Sequence, residues 1–125
     1  DSAARTLAAD PLPLQASLTE ADLAYFSGIT LAILPSTDRA RFLSVLHEFR
    51  KNGGVVAFDP NFRPSLWNST EDMTQAVMQA AAVSDIVLPS YEDEAMWFCD
   101  KDLQATVNRY ARALVACCVV KNMYL

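Results

Sequence analysis

Glycine is scarce in this chain, with only Gly28, Gly53 and Gly54 among 125 residues. Neither a GxxxxGK[ST] phosphate loop nor a GxGxxG dinucleotide turn occurs. Histidine is scarcer still. His47 falls in an amphipathic helical stretch, where it reads as packing or surface, and one His leaves no Ser–His–Asp arrangement to build. The three cysteines, Cys99, Cys117 and Cys118, form no CxxC pair and no zinc spacing. They read as free thiols of a reducing compartment, so a cytoplasmic protein is expected. Basic runs are missing and the net charge is -5, which argues against a nucleic-acid partner. No charged segment followed by an apolar run opens the chain, so no signal peptide is expected. The longest apolar run, Ala113 to Val120, is too short to span a bilayer, and no membrane partner is expected.

What remains is an apolar-rich composition, 52% hydrophobic, with the pattern of a folded domain. Asp1 to Ala9 suits the tail of a helix stopped by Pro11 and Pro13, and Leu18 to Leu23 a short helix capped by Thr19. Tyr25 to Thr30 reads as a strand running into a turn at Gly28, and Leu31 to Leu34 as a short apolar link. Thr37 is placed to cap a helix over Asp38 to Lys51, whose stripe is Phe42, Val45, Leu46 and Phe49. Asn52-Gly53-Gly54 ends it. Val55 to Phe58 has no alternation, the mark of a strand buried on both faces.

A helix over Glu71 to Ala82 follows, opened by Asn68-Ser69-Thr70 and carrying Met73, Ala76, Val77 and Ala80 on one side. Then come a strand over Ser84 to Pro89, a helix from Ser90 to Phe98, a helix over Leu103 to Leu114 and a strand over Val115 to Val120. The alternation predicts an α/β fold with an open, mostly parallel sheet and flanking helices. Trp67 and Trp97 read as core.

Ligands of such sheets bind beyond the carboxyl ends of the strands. Three loops fall there: Gly28-Ile29, Asp59 to Trp67, and Pro89 to Glu94. Arg63 can hold a carboxylate or phosphate through its planar fork, and Asn61 can bond a hydroxyl. The alternative is that Asp59 and Asn61 are turn formers and Arg63 pairs with a local acid. The acids of Pro89 to Glu94 can organise Mg²⁺ through its waters, but Ser90 and Asp93 also read as the two ends of a capping box. Lys121 ends the last strand at the same edge, either to meet a phosphate or as a solvated strand end. These residues alone name no reaction.

Four blocks carry a resemblance. They are Tyr25 to Leu34, Val56 to Trp67 (with Asp59-Pro60-Asn61-Phe62-Arg63), Ser84 to Glu94, and Val119 to Asn122. Together they resemble the 2-keto-3-deoxygluconate kinases, in the carbohydrate kinase family that also holds ribokinase and fructokinase. The resemblance implies a ribokinase-like fold and ATP- and Mg²⁺-dependent phosphorylation of a sugar acid to its 6-phosphate. It places Arg63 on the substrate carboxylate, with Ile29, Asn61 and Gly28 on the substrate side. Ser90 matches the head of an Asn-x-x-Glu motif near metal and phosphates, and Asp93 takes the Glu position, acting on the metal through water. Lys121 matches a nucleotide-side residue.

Cys99 and Met123 stand where that family has Gly. The family's Gly-Ala-Gly-Asp motif, which holds the catalytic Asp, does not occur in this chain. Residues 1–125 are therefore expected to be the central part of a kinase domain, with the lid and the C-terminal catalytic and nucleotide region outside it. No initiating Met opens the chain, and it ends just after a predicted strand, where a parallel sheet expects a covering helix. The isolated chain is expected to be inactive, and its uncovered sheet edges are compatible with a homo-oligomer. The competing reading is a non-catalytic α/β module that binds a sugar acid or a partner protein, and a Rossmann dehydrogenase is a third.

Overall fold

Four short strands set the frame: β1 (Leu23–Ser27), β2 (Val55–Asp59), β3 (Ile86–Val87) and β4 (Cys117–Cys118). The computed structural model of the chain describes residues 22–113 and 115–121. The helix expected over Asp1 to Ala9 and most of that over Leu18 to Leu23 lie outside them. All pairings are parallel and the sheet order is β1-β2-β3-β4. The register sets Phe26 opposite Phe58, and Phe58 opposite Val87. The helices bring Leu46, Phe49, Met73, Val77 and Tyr110 into one core with Phe26, Phe58 and Val87, on one face of the sheet. Phe26, Val56, Phe58 and Val87 are buried toward that face, while Leu23, Tyr25, Val55 and Val119 stand exposed on the other.

Helices α1 (Gly28–Ile33), α2 (Ser36–Lys51), α3 (Thr70–Ala81), α4 (Tyr91–Phe98) and α5 (Leu103–Arg112) supply the second layer. In α2 the apolar stripe packs as its period requires. Val45, Leu46 and Phe49 are buried, and Phe42 meets Phe26 edge-on at 5.3 Å. Its end is a Schellman turn. Gly54 N–H donates to the Phe49 carbonyl at 2.9 Å, Gly53 N–H to that of Arg50 at 3.1 Å, and Gly53 takes φ 97. Ser69 caps α3 by accepting from the Asp72 N–H at 3.1 Å, and Met73, Ala76, Val77 and Ala80 are buried. Asp85 joins the layers. Its carboxylate accepts from Arg50 Nε and from the Val56 N–H, each at 2.8 Å.

The structure departs from the sequence expectations in three places. The strand ends at Ser27, and Gly28–Ile33 is helical, because Leu31 and Leu34 turn inward to 0% and 2% exposure. Helix α2 starts two residues earlier than expected, at Ser36, with Pro35 rather than Thr37 at the cap position and no side-chain cap bond. The last two strands are two residues each, although backbone bonds continue to Lys121, whose N–H donates to the Pro89 carbonyl at 2.7 Å. Among the described residues no helix is long and apolar enough to cross a membrane.

Candidate functional site

The carboxyl ends of β1 and β2 meet through glycine. A Cβ built on the buried Gly28 would lie 1.9 Å from the Pro60 carbonyl oxygen, so only a residue without a side chain lets the loop after β2 cross the start of α1. That loop is internally braced. Asp59 Oδ1 accepts the Asn61 N–H at 3.1 Å, an Asx turn that accommodates Asn61 at φ 37. Phe62 is buried and meets Phe98 edge-on at 5.9 Å, which anchors the loop from beneath. Arg63 follows, exposed, just before a 3-10 turn over Pro64–Leu66. It donates to the Phe62 carbonyl at 3.1 Å and makes no salt bridge among the described residues. Ile29 is half-buried in the first turn of α1.

The ends of β3 and β4 bring Ser90 and Lys121 into a parallel bridge. The Tyr91 N–H donates to the Lys121 carbonyl at 2.8 Å. Lys121 Nζ reaches across the sheet edge to Asp59 Oδ2 at 2.9 Å. Asp93 sits in the same electrostatic neighbourhood. Burial raises its pKa, the Arg63 guanidinium and Lys121 oppose that rise, and Glu92 and Asp59 add to it. The edge thus gathers Gly28, Ile29, Asn61 and Arg63 on one side and Ser90, Asp93 and Lys121 on the other, with Asp59 between.

Two expectations about α4 are corrected. Ser90 occupies the cap position with extended backbone, but its side chain makes no cap bond, so Ser90 and Asp93 do not form a capping box. Glu94, counted among the acids able to organise a metal, is fully buried instead. Its Oε1 accepts from Arg109 Nη2 at 2.7 Å and from the Tyr110 hydroxyl at 2.9 Å. Arg109 also pairs with Asp100 and lies over the Phe98 ring at 3.7 Å. Nothing local in the sequence pointed to this network, because Arg109 is fifteen positions away in another helix. Among the described residues no group of three or more His, Cys, Asp or Glu side chains is arranged to hold a metal ion.

A cavity of about 450 Å³ lies elsewhere, between Leu34, Pro35, Arg39, Trp67 and Asp72, and none of the edge residues lines it.

The edge thus joins the Asp-Pro-Asn-Phe-Arg loop after β2 to the lysine after β4, with β3 between them. The pfkB family carbohydrate kinase profile matches residues 1–122, and the chain belongs to that family. The chain is similar to 2-dehydro-3-deoxygluconokinase of Dickeya dadantii, 41% identical over 105 residues, covering 84% of this chain and 34% of the relative. It is 47% identical over 81 residues to the Escherichia coli K12 protein of the same name, covering 64% and 26%. The crystal structure of a PfkB protein from Polaromonas sp. JS666 superposes with a TM-score of 0.78 at 28% identity, covering 87% of this chain and 37% of that one. The chain therefore spans about a third of the length of the relatives it matches, and the fold is ribokinase-like.

Proposed function

We propose that the chain is the central segment of an ATP-dependent kinase that phosphorylates 2-keto-3-deoxygluconate at its 6-hydroxyl. The observation that carries this reading is Arg63. Its guanidinium is exposed at the ligand edge, with one N–H on a neighbouring carbonyl and no salt bridge among the described residues. A planar fork placed there suits a carboxylate, which a sugar acid carries and a simple sugar lacks. The names of the Dickeya and Escherichia relatives support the same substrate.

In this reading Arg63 grips the carboxylate and Asn61 bonds a sugar hydroxyl. The backbone at Gly28 and Ile29 lines the sugar. Lys121, its side chain 46% exposed, offers an ammonium to the phosphates, and Ser90 lies beside it. ATP would supply the phosphoryl group, and Mg²⁺, where bound, would neutralise the phosphate charge. Asp93 fits a hydrated Mg²⁺. It offers one carboxylate there, and magnesium keeps several waters and needs few protein ligands.

A coupled assay of the intact protein with ATP and Mg²⁺ tests the proposal. Turnover with 2-keto-3-deoxygluconate well above that with fructose is expected. Equal or greater turnover with fructose would overturn the sugar-acid assignment while leaving a sugar kinase in place.

A further inference from the structure

We propose that Asp59 is a positioning residue that holds the acid-binding loop and the phosphate-side lysine in place together. This rests on the kinase reading above, which gives both ends of the contact a ligand. Asp59 is the last residue of β2, and each of its two carboxylate oxygens has a separate task. Oδ1 accepts the Asn61 N–H at 3.1 Å and so sets the turn from which Arg63 projects. Oδ2 accepts from Lys121 Nζ at 2.9 Å.

The second contact is long-range in the fold. Lys121 follows β4, and β3 lies between β4 and β2 in the sheet, so the side chain crosses the end of an intervening strand to reach Asp59. The two partners are 62 positions apart in sequence. Lysine carries a long, flexible stem with three donors. One donor held by Asp59 restricts the stem and leaves two for phosphate oxygens. Asp59 is the less exposed partner, at 18% against 46% for Lys121, so the carboxylate is the fixed point and the ammonium is the part that is steered.

The rival account is an ordinary edge ion pair, which contributes little and steers nothing. Asparagine separates the two accounts. Asp59→Asn keeps an oxygen for the Asn61 N–H but loses the charge that holds Lys121, whereas Asp59→Ala loses both.

The test uses the intact protein with two readouts. One is the amide resonances of Asn61 and Arg63 by NMR. The other is calorimetric affinity for a non-hydrolysable ATP analogue and, separately, for 2-keto-3-deoxygluconate. Asp59→Asn is expected to leave the amides and the sugar-acid affinity in place and to weaken the analogue about fivefold. Asp59→Ala is expected to move both amides and weaken both ligands. Unchanged or tighter analogue binding in Asp59→Asn, or unmoved amides in Asp59→Ala, would overturn the proposal. Wild-type protein that binds neither ligand would sink the kinase reading instead. The amides would then still decide whether Asp59 shapes the loop, and the claim falls if they stay put in Asp59→Ala.

Discussion

Arg109 donates to Glu94 at 2.7 Å in the interior of the domain, tying α5 to the helix that carries Asp93 at the ligand edge. Burial outweighs this bond and the Tyr110 hydroxyl, and it raises the Glu94 pKa from 4.5 to about 7. Asp100 adds to the rise, and Glu94 Oε2 is buried with no hydrogen-bond partner among the described residues.

A pH dependence follows from that shift. The folded state holds the Glu94 proton more tightly than the unfolded chain does. The contribution is therefore fully present below pH 4.5 and is lost as pH rises toward 7. The loss amounts to roughly 2–4 kcal/mol. Denaturant melts between these limits should show falling stability. Glu94→Gln, which keeps an acceptor for Arg109 but cannot ionise, should flatten the fall. An unchanged slope in the variant would show that another group is responsible.

Cys99 ends α4 at φ 59 and ψ 31, in the left-handed region that favours glycine. The thiol is exposed, so packing does not compensate the strain. Cys99→Gly should stabilise the protein by about 1 kcal/mol, read as a shift in the urea midpoint with unchanged slope. A lower midpoint would mean that the backbone tolerates cysteine there without strain.

Gly28→Ala should act on stability and ligand together. The added methyl meets the Pro60 carbonyl, which is backbone and cannot swing aside. A cost of about 1–3 kcal/mol is expected, along with weaker sugar-acid binding as the Asn61–Arg63 loop is displaced. A variant with wild-type stability and affinity would show that the loop does not depend on this approach.

The sequence made the regular helices legible and left the long-range contacts hidden. The Phe42, Val45, Leu46, Phe49 stripe and the paired glycines after it fixed α2 and its end, because each signal is local. Leu31 to Leu34 misled because a short, uninterrupted apolar run carries no period, and the burial of Leu31 and Leu34 accompanies its helical start. Asp59, Asn61, Arg63 and Lys121 could be placed on one edge from strand order alone. That Lys121 would pair with Asp59 could not, since the two meet only when the sheet forms. The acids of α4 looked alike in sequence. In the fold Glu92 and Asp93 are partly exposed while Glu94 turns inward to a partner on α5.

The most direct measurement of the central claim is kcat/KM of Arg63→Ala in the intact protein, taken on 2-keto-3-deoxygluconate and on a neutral sugar, beside its melting curve. A hydrogen bond to a charged group is worth roughly 1.5–3 kcal/mol, or about one to two decades in kcat/KM. That loss is expected on the acid, with little on the neutral sugar and little change in stability. Arg63→Lys should recover only part of it, because a point charge cannot reproduce the fork. Equal losses on both substrates with a lowered melting point would instead make Arg63 a structural residue and contradict the sugar-acid reading.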